Sequence, residues 1–270
     1  MDVGTVLRFY EAGQRDFAGA DLQGADLSGV TLIGLDLRGA NLTGANLCRA
    51  FLTGANLSGA FLNWADLRYA KMSDGSMAGA DLTRSNLSGA FLVKATLANA
   101  KLSGATLAHT NLRRANLEAC NLCGSNMKGV NLRNANLYRA NLNWANLSGA
   151  RLSGANLKGS FLSDVNLQGA YLNGLDLQGV DLSGINLSEA KLCGVNLEGA
   201  NLAACNLRAA LLKEARLKGA NLSRADLTDA HLPYAKLDWA SLDRVHFRLS
   251  APKSYPSHPS LESHAGLVRA

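Results

Sequence analysis

The chain has 270 residues, of which 47% are apolar, 6% aromatic and 18% charged, with 27 Gly, 4 Pro and a surplus of Leu, Ala and Asn. That apolar content is too high for a disordered chain, and no run reaches the roughly 18 apolar residues of a membrane span, so a soluble protein with no membrane partner is expected. The formal net charge is +6. Met1 to Arg8 carry neither a basic start followed by an apolar stretch nor a small-residue cleavage site, which predicts a cytoplasmic protein.

The first segment reads as a short helix. Val3, Val6, Leu7 and Tyr10 fall at i, i+3, i+4 and i+7, an apolar stripe, and Gly13 is a helix stop. Residues 1–14 are therefore expected to form a capping helix that covers the first turn of the region that follows and keeps its edge from pairing with other chains.

From Phe17 to Phe247 an apolar residue recurs every five positions without a frame slip: 42 Leu, Met72, Met77, Met127 and the two terminal Phe. Two residues before each lies a second column, from Ala20 to Val245, with 30 Ala among 46 residues. A period of five suits neither regular element. On an α-helix it would spread the leucines over every face, and on a flat strand it would send alternate leucines into water. A coil that turns a corner once per repeat brings both columns to a common axis. Asn or Asp, at 28 of the 47 positions just before the central residue, can hydrogen-bond the turning backbone.

Ala20-Asp21-Leu22, Ala40-Asn41-Leu42, Ala115-Asn116-Leu117, Ala145-Asn146-Leu147 and Ala220-Asn221-Leu222 carry the motif A-(D/N)-L-X-X. The stretch 15–249 thereby resembles the pentapeptide-repeat family. The resemblance implies an all-β fold, a right-handed quadrilateral parallel β-helix with four repeats per coil. The leader, with Met1-Asp2-Val3-Gly4, Tyr10 and Arg15-Asp16-Phe17, is similar to that of cyanobacterial members, among them the regulator of heterocyst commitment. At roughly 4.8 Å between stacked strands, about twelve coils would give a rod some 55 Å long.

Two stretches depart from the pattern. At Asp74-Gly75-Ser76, between Met72 and Met77, Gly replaces Ala, which fits a soft spot or slight bend and, better, ordinary tolerance of one weak repeat. Beyond Pro233, Tyr234, Trp239 and Phe247 the repeat ends, and residues 250–270 are expected to be a disordered or loosely docked tail.

The residue types that carry chemistry do not converge. Cys120-Asn121-Leu122-Cys123 matches C-x-x-C, but the frame points Cys120 inward and Cys123 outward. Cys205 reads as core; Cys48 and Cys193 are isolated. His109, His231 and His246 occupy outward positions, His258 and His264 lie in the tail, and none has metal-ligand spacing. The glycines recur as turn residues with no strand-to-helix switch after them, so they do not read as phosphate loops. A filled convex rod also offers few pockets. No catalytic residue, metal or cofactor is expected, and the protein reads as a non-enzyme.

With four repeats per coil, residues twenty apart share a face. Among positions just before a central residue, the column Thr31, Phe51, Lys71, Phe91, Asn111, Asn131, Arg151, Tyr171, Lys191, Leu211, His231 is aromatic and basic, whereas the other three are mostly Asn or Asp. That mixture suits interface anchors and equally suits cross-coil stacking of β-favouring residues. Charge is also uneven. Residues 82–163 hold ten Lys or Arg and one acid, Glu118, against a net of −3 before them and zero after. Arg113, Arg114, Arg133 and Arg151 would lie beside the unusual column.

These features predict a rigid, non-enzymatic protein–protein interaction scaffold, monomeric or weakly dimeric. Its partner-binding candidates are Phe51, Lys71, Phe91, Arg113, Arg114, Arg133, Arg151 and Tyr171, and the partner is a protein the sequence does not name. The resemblance also offers DNA mimicry and gyrase binding, which need an acidic surface that this chain lacks. A third reading, nonspecific nucleic-acid binding through the basic belt, lacks a reading helix or a regular aromatic platform.

Overall fold

The structure is a computed structural model and describes residues 1–248; the segment expected to form the tail lies outside the described residues. Helix α1 spans Val3–Glu11. Asp2 caps its start, accepting the Thr5 N–H at 2.9 Å. Gly13, at φ 93°, ends it: its N–H bonds Tyr10 O and the Gln14 N–H bonds Phe9 O, the paired bonds that close a helix through a left-handed residue. Val6 is fully buried, with Val3, Leu7 and Tyr10 packed against the same core. The Tyr10 hydroxyl reaches Ile33 O at 3.3 Å.

From Asp16 onward the chain winds in coils of twenty residues, each coil pairing with the next through parallel bridges such as Asp16↔Asp36, Asn41↔Phe61 and Asn116↔Asn136. Four five-residue sides make one turn. The repeat pairs from coil to coil through isolated parallel bridges rather than extended strands. The reason is geometric, because each side spends its residues on a β-turn and leaves one position to pair. The N–H three residues past the turn's start closes it, as Ala40 N to Leu37 O at 3.0 Å. The third turn residue is left-handed in every repeat from residue 19 to residue 244, the signature of a type II turn. Half of these 46 positions are Gly; the rest include Arg114, Ala119 and Trp144.

The two apolar columns fill the bore. Nearly all central leucines are sealed from solvent, as are most minus-two alanines. Polar substitutes in the Ala column are satisfied internally. The hydroxyls of Ser85, Thr110 and Ser125 donate to Leu82 O, Leu87 O and Leu122 O, each at 2.7 Å. Outside, Asn and Asp accept the N–H two residues on, as Asn46 Oδ1 does from Cys48 N at 3.1 Å. Their amides also reach the coil below, as Asn41 Nδ2 does to Asp21 Oδ1 at 2.9 Å.

The weak repeat at Asp74-Gly75-Ser76 is carried without a break in the ladder between coils. Asp74 itself takes the left-handed turn position, the inter-coil bonds Ser76 N to Ala55 O and Thr96 N to Gly75 O are intact, and Met72 and Met77 stay buried. A β-carbon on Gly75 would lie 2.8 Å from Ala55 O, so glycine fits a close approach of two coils.

The ladder breaks elsewhere. Two successive bridges of the series, Asn156 with Asp176 and Phe161 with Asp181, do not form, and the N–H groups of Leu157, Gly159, Leu162 and Asp164 have no backbone partner. The coils rejoin at Leu167 N to Asn186 O and Leu172 N to Lys191 O, both 2.8 Å. The Ala column explains the split. Leu175, Val180 and Ile185 occupy three consecutive corners, stacked in the twenty-residue register on Ala155, Ser160 and Val165. Three oversized corners in one coil overpack the bore and part it from the coil below.

Candidate interaction surface

The repeat frame turns outward every residue proposed for partner binding. Phe51, Lys71, Phe91, Arg113, Arg114, Arg133, Arg151 and Tyr171 are all exposed. Bridges join Phe51 to Lys71, Lys71 to Phe91, and Arg151 to Tyr171, so these side chains stand on successive coils of one face. The Lys71 ammonium lies 4.3 Å from the centroid of the Phe51 ring, a cation–π pair that leaves the outer ring surface open.

Backbone bonds place the arginines beside this column. Lys94 N donates to Arg113 O at 3.0 Å, Arg114 N to Arg133 O at 3.0 Å, and Leu132 N to Arg151 O at 2.8 Å. None of the four arginines forms an ion pair among the described residues. Arginines nearer the N-terminus differ. Arg38 and Arg68 reach the Asp of their own repeat at 2.6 Å, and the hydrogen bond each donates holds Asp36 and Asp66 below the usual carboxylate range. Inside the belt, Lys94 and Lys101 only approach Asp74 and Asp81, at 4.0 and 3.9 Å.

A second aromatic set was not singled out from the sequence. On the side that precedes the basic column by two repeats, Phe61, Trp64, Trp144 and Phe161 are each more than half exposed. Phe61 and Phe161 were passed over in a column dominated by Asn and Asp. The tryptophans sit at the turn position, and sorting that position by twenties would have shown them.

The split described above opens a cleft of about 1010 Å³, lined by residues 155–164 on one side and by Asp176, Gln178, Val180 and Asp181 among others on the facing coil. Physically it is a packing defect of the solenoid, which the periodic pattern alone did not disclose.

The cysteines are free thiols. Cys120 Sγ donates to Leu97 O and Cys205 Sγ to Leu182 O, and burial pushes both thiols up to about 12. Cys123 is partly exposed, so the C-x-x-C sulfurs do not share an environment. Among the described residues no group of His, Cys, Asp or Glu has the arrangement of a metal site, and no helix is long and apolar enough to cross a membrane.

The repeats match the model for pentapeptide repeats in eight copies, over residues 16–49, 36–74, 49–84, 76–114, 115–154, 145–184, 185–210 and 210–248. No curated protein matches the chain. Among solved structures, HetL, a protein involved in heterocyst differentiation regulation from the cyanobacterium Nostoc sp. strain PCC 7120, is 33% identical. The match covers 91% of this chain and 96% of that one, with a TM-score of 0.35. The protein alr5209 from Nostoc PCC 7120 is 36% identical over 41% of this chain and 80% of its own, with a TM-score of 0.30. Full-length QnrB1, a plasmid-mediated fluoroquinolone resistance protein, is 17% identical over 81% and 92% of the two chains, with a TM-score of 0.27. With matched repeats running from residue 16 to residue 248, the chain belongs to the pentapeptide-repeat family.

Proposed function

We propose that the protein is a non-enzymatic interaction scaffold, a right-handed four-sided rod whose basic and aromatic face engages an acidic protein surface in the cytoplasm. The observation that carries this reading is the unpaired state of Arg113, Arg114, Arg133 and Arg151, held on consecutive coils between the exposed Phe91 and Tyr171 of the aromatic and basic column. Unpaired cations around aromatic anchors favour fast, oriented capture of a complementary acidic surface. A regulatory role of the kind attached to HetL is consistent with such a scaffold. The likeness to QnrB1 does not extend to function at this identity, and a net charge of +6 opposes imitation of DNA.

The test compares wild type with a variant in which Arg113, Arg114, Arg133 and Arg151 are all Glu. Partners are captured from the source organism, and a nonspecific DNA duplex is titrated in parallel. The expected result is an acidic protein retained by wild type and released by the variant, with the circular dichroism of the two proteins unchanged. Equal capture by both proteins overturns the reading. Tight duplex binding that weakens steeply with salt, without a protein partner, replaces it with nucleic-acid binding.

A further inference from the structure

The cleft between the coils carries an inference separate from the basic face. Elsewhere in the solenoid the central residue and the turn residue of each side donate N–H groups to the coil above, and the residue before the centre donates to the coil below. At the split the N–H groups of Leu157, Gly159, Leu162 and Asp164 on one coil, and those of Asp176 and Asp181 on the facing coil, have no backbone partners. The amide ladder stops there as well. Asn136 bonds Asn116 and Asn156 bonds Asn136, but the next link in the series is Asn196 to Asp176. Two strand edges are thus exposed face to face inside one molecule, where a third extended segment can complete both.

The lining sets the chemistry of that segment. The central residues Leu157 and Leu162 rise to 6% exposure from near zero at Leu147 and Leu152 on the preceding sides, giving an apolar floor. Phe161 stands 59% exposed at the mouth, and its neighbour on the coil below, Trp144, whose N–H bonds Ser163 O, is 61% exposed. Three aspartates, Asp164, Asp176 and Asp181, line the cleft against one base, Lys158. With Glu189 these are the four acids of residues 159–190, a stretch with no Lys or Arg next to the most basic part of the chain. Charge complementarity therefore calls for a cationic occupant, and the apolar floor calls for side chains that alternate with the cations.

We propose that this split is a docking site for an extended basic peptide segment of a partner protein, which adds as a strand to the facing backbone edges with apolar residues inward and Lys or Arg toward the aspartates.

The test uses the full chain and three fluorescein-labelled decapeptides: alternating Lys-Val, alternating Glu-Val, and the Lys-Val sequence with alternate backbone nitrogens methylated. Anisotropy should show saturable binding of the Lys-Val peptide alone, and hydrogen exchange should show slowed amides at Leu157, Gly159, Leu162 and Asp164. Neutralising the lining with Asp164→Asn, Asp176→Asn and Asp181→Asn should weaken binding about tenfold or more, whereas charge reversal of Arg113, Arg114, Arg133 and Arg151 should not weaken it. Replacing Leu175, Val180 and Ile185 by Ala should close the cleft, protect the same amides without peptide and abolish binding. Equal binding of the Glu-Val or methylated peptide overturns the proposal, as does binding with no change at those four amides. Protection that rises with protein concentration in the absence of peptide also overturns it, by assigning the cleft to a second copy of the chain.

Discussion

The backbone N–H of Arg114 donates to the carbonyl of Arg133 at 3.0 Å, which fixes two arginines without acidic partners on consecutive coils. Two like charges based on adjacent coils, with no acid between them, are expected to repel each other. Neutralising one member, Arg133→Gln, is expected to raise the thermal midpoint at low ionic strength. The difference should vanish near 1 M salt, where the screening length falls to roughly 3 Å. Melting curves at several salt concentrations decide this, and a salt-independent difference would mean that the arginines do not interact.

The left-handed turn position gives a clean pair of substitutions. Ala119 sits at φ 52° and Gly124 at φ 63° with no atom within 4 Å of an added β-carbon, so the two differ in residue type more than in surroundings. Ala119→Gly is expected to stabilise the chain by about 1 kcal/mol and Gly124→Ala to destabilise it by about as much, because an L-residue with a β-carbon is disfavoured there. Denaturant midpoints measured on both variants check the sign; a destabilising Ala119→Gly would contradict the turn assignment.

Truncating one central residue tests how the core is shared among coils. Leu132 is fully buried, and Leu132→Ala is expected to cost about 3–5 kcal/mol through lost burial and a residual cavity. In a solenoid, where each repeat meets only its neighbours, the loss should appear as faster amide exchange in the adjoining coils before it appears at the ends.

The thiols should divide by depth. Cys48, Cys123 and Cys193 are partly exposed, whereas burial pushes the Cys120 and Cys205 thiols from 9.0 to about 12. A thiol reagent at pH 8 is expected to modify the first three in the native protein and all five after unfolding. The unfolded chain releases these two protons near pH 9, but the folded chain holds them to about 12. Their contribution to stability is therefore complete below pH 9 and is lost as pH rises from 9 through 12. Cys120→Ala with Cys205→Ala should flatten the alkaline limb of a stability–pH curve.

The architecture was legible in the sequence wherever it depends on period. Phe17 to Phe247 marks the inward column directly, and the Val3, Val6, Leu7, Tyr10 stripe marks α1. Spacing alone did not give the number of sides. That came from the likeness of motifs such as Ala40-Asn41-Leu42 to a known family, and the Asp16↔Asp36 register shows it. Irregularity was harder to read. Gly75 looked like a weakness, yet Asp74 supplies the left-handed turn and the coils close over it. The real break follows from Leu175, Val180 and Ile185 acting together, since one large corner is absorbed by its neighbours and three in succession are not. Trp144 was hidden because the turn position was not sorted by the coil length, and Phe161 because its column is mostly Asn and Asp.

The most direct test of the account is whether residues twenty apart are stacked, since both the basic face and the cleft depend on it. In a chain with its native cysteines replaced by Ala or Ser, Arg113→Cys with Arg133→Cys should oxidise readily to an intramolecular disulfide. Arg113→Cys with Lys128→Cys should not, because adjacent coils lie roughly 4.8 Å apart while Lys128 falls on a different side. Efficient cross-linking of 113 to 133, and not of 113 to 128, is the predicted result; cross-linking of 113 to 128 instead would contradict the coil, the face and the function drawn from them.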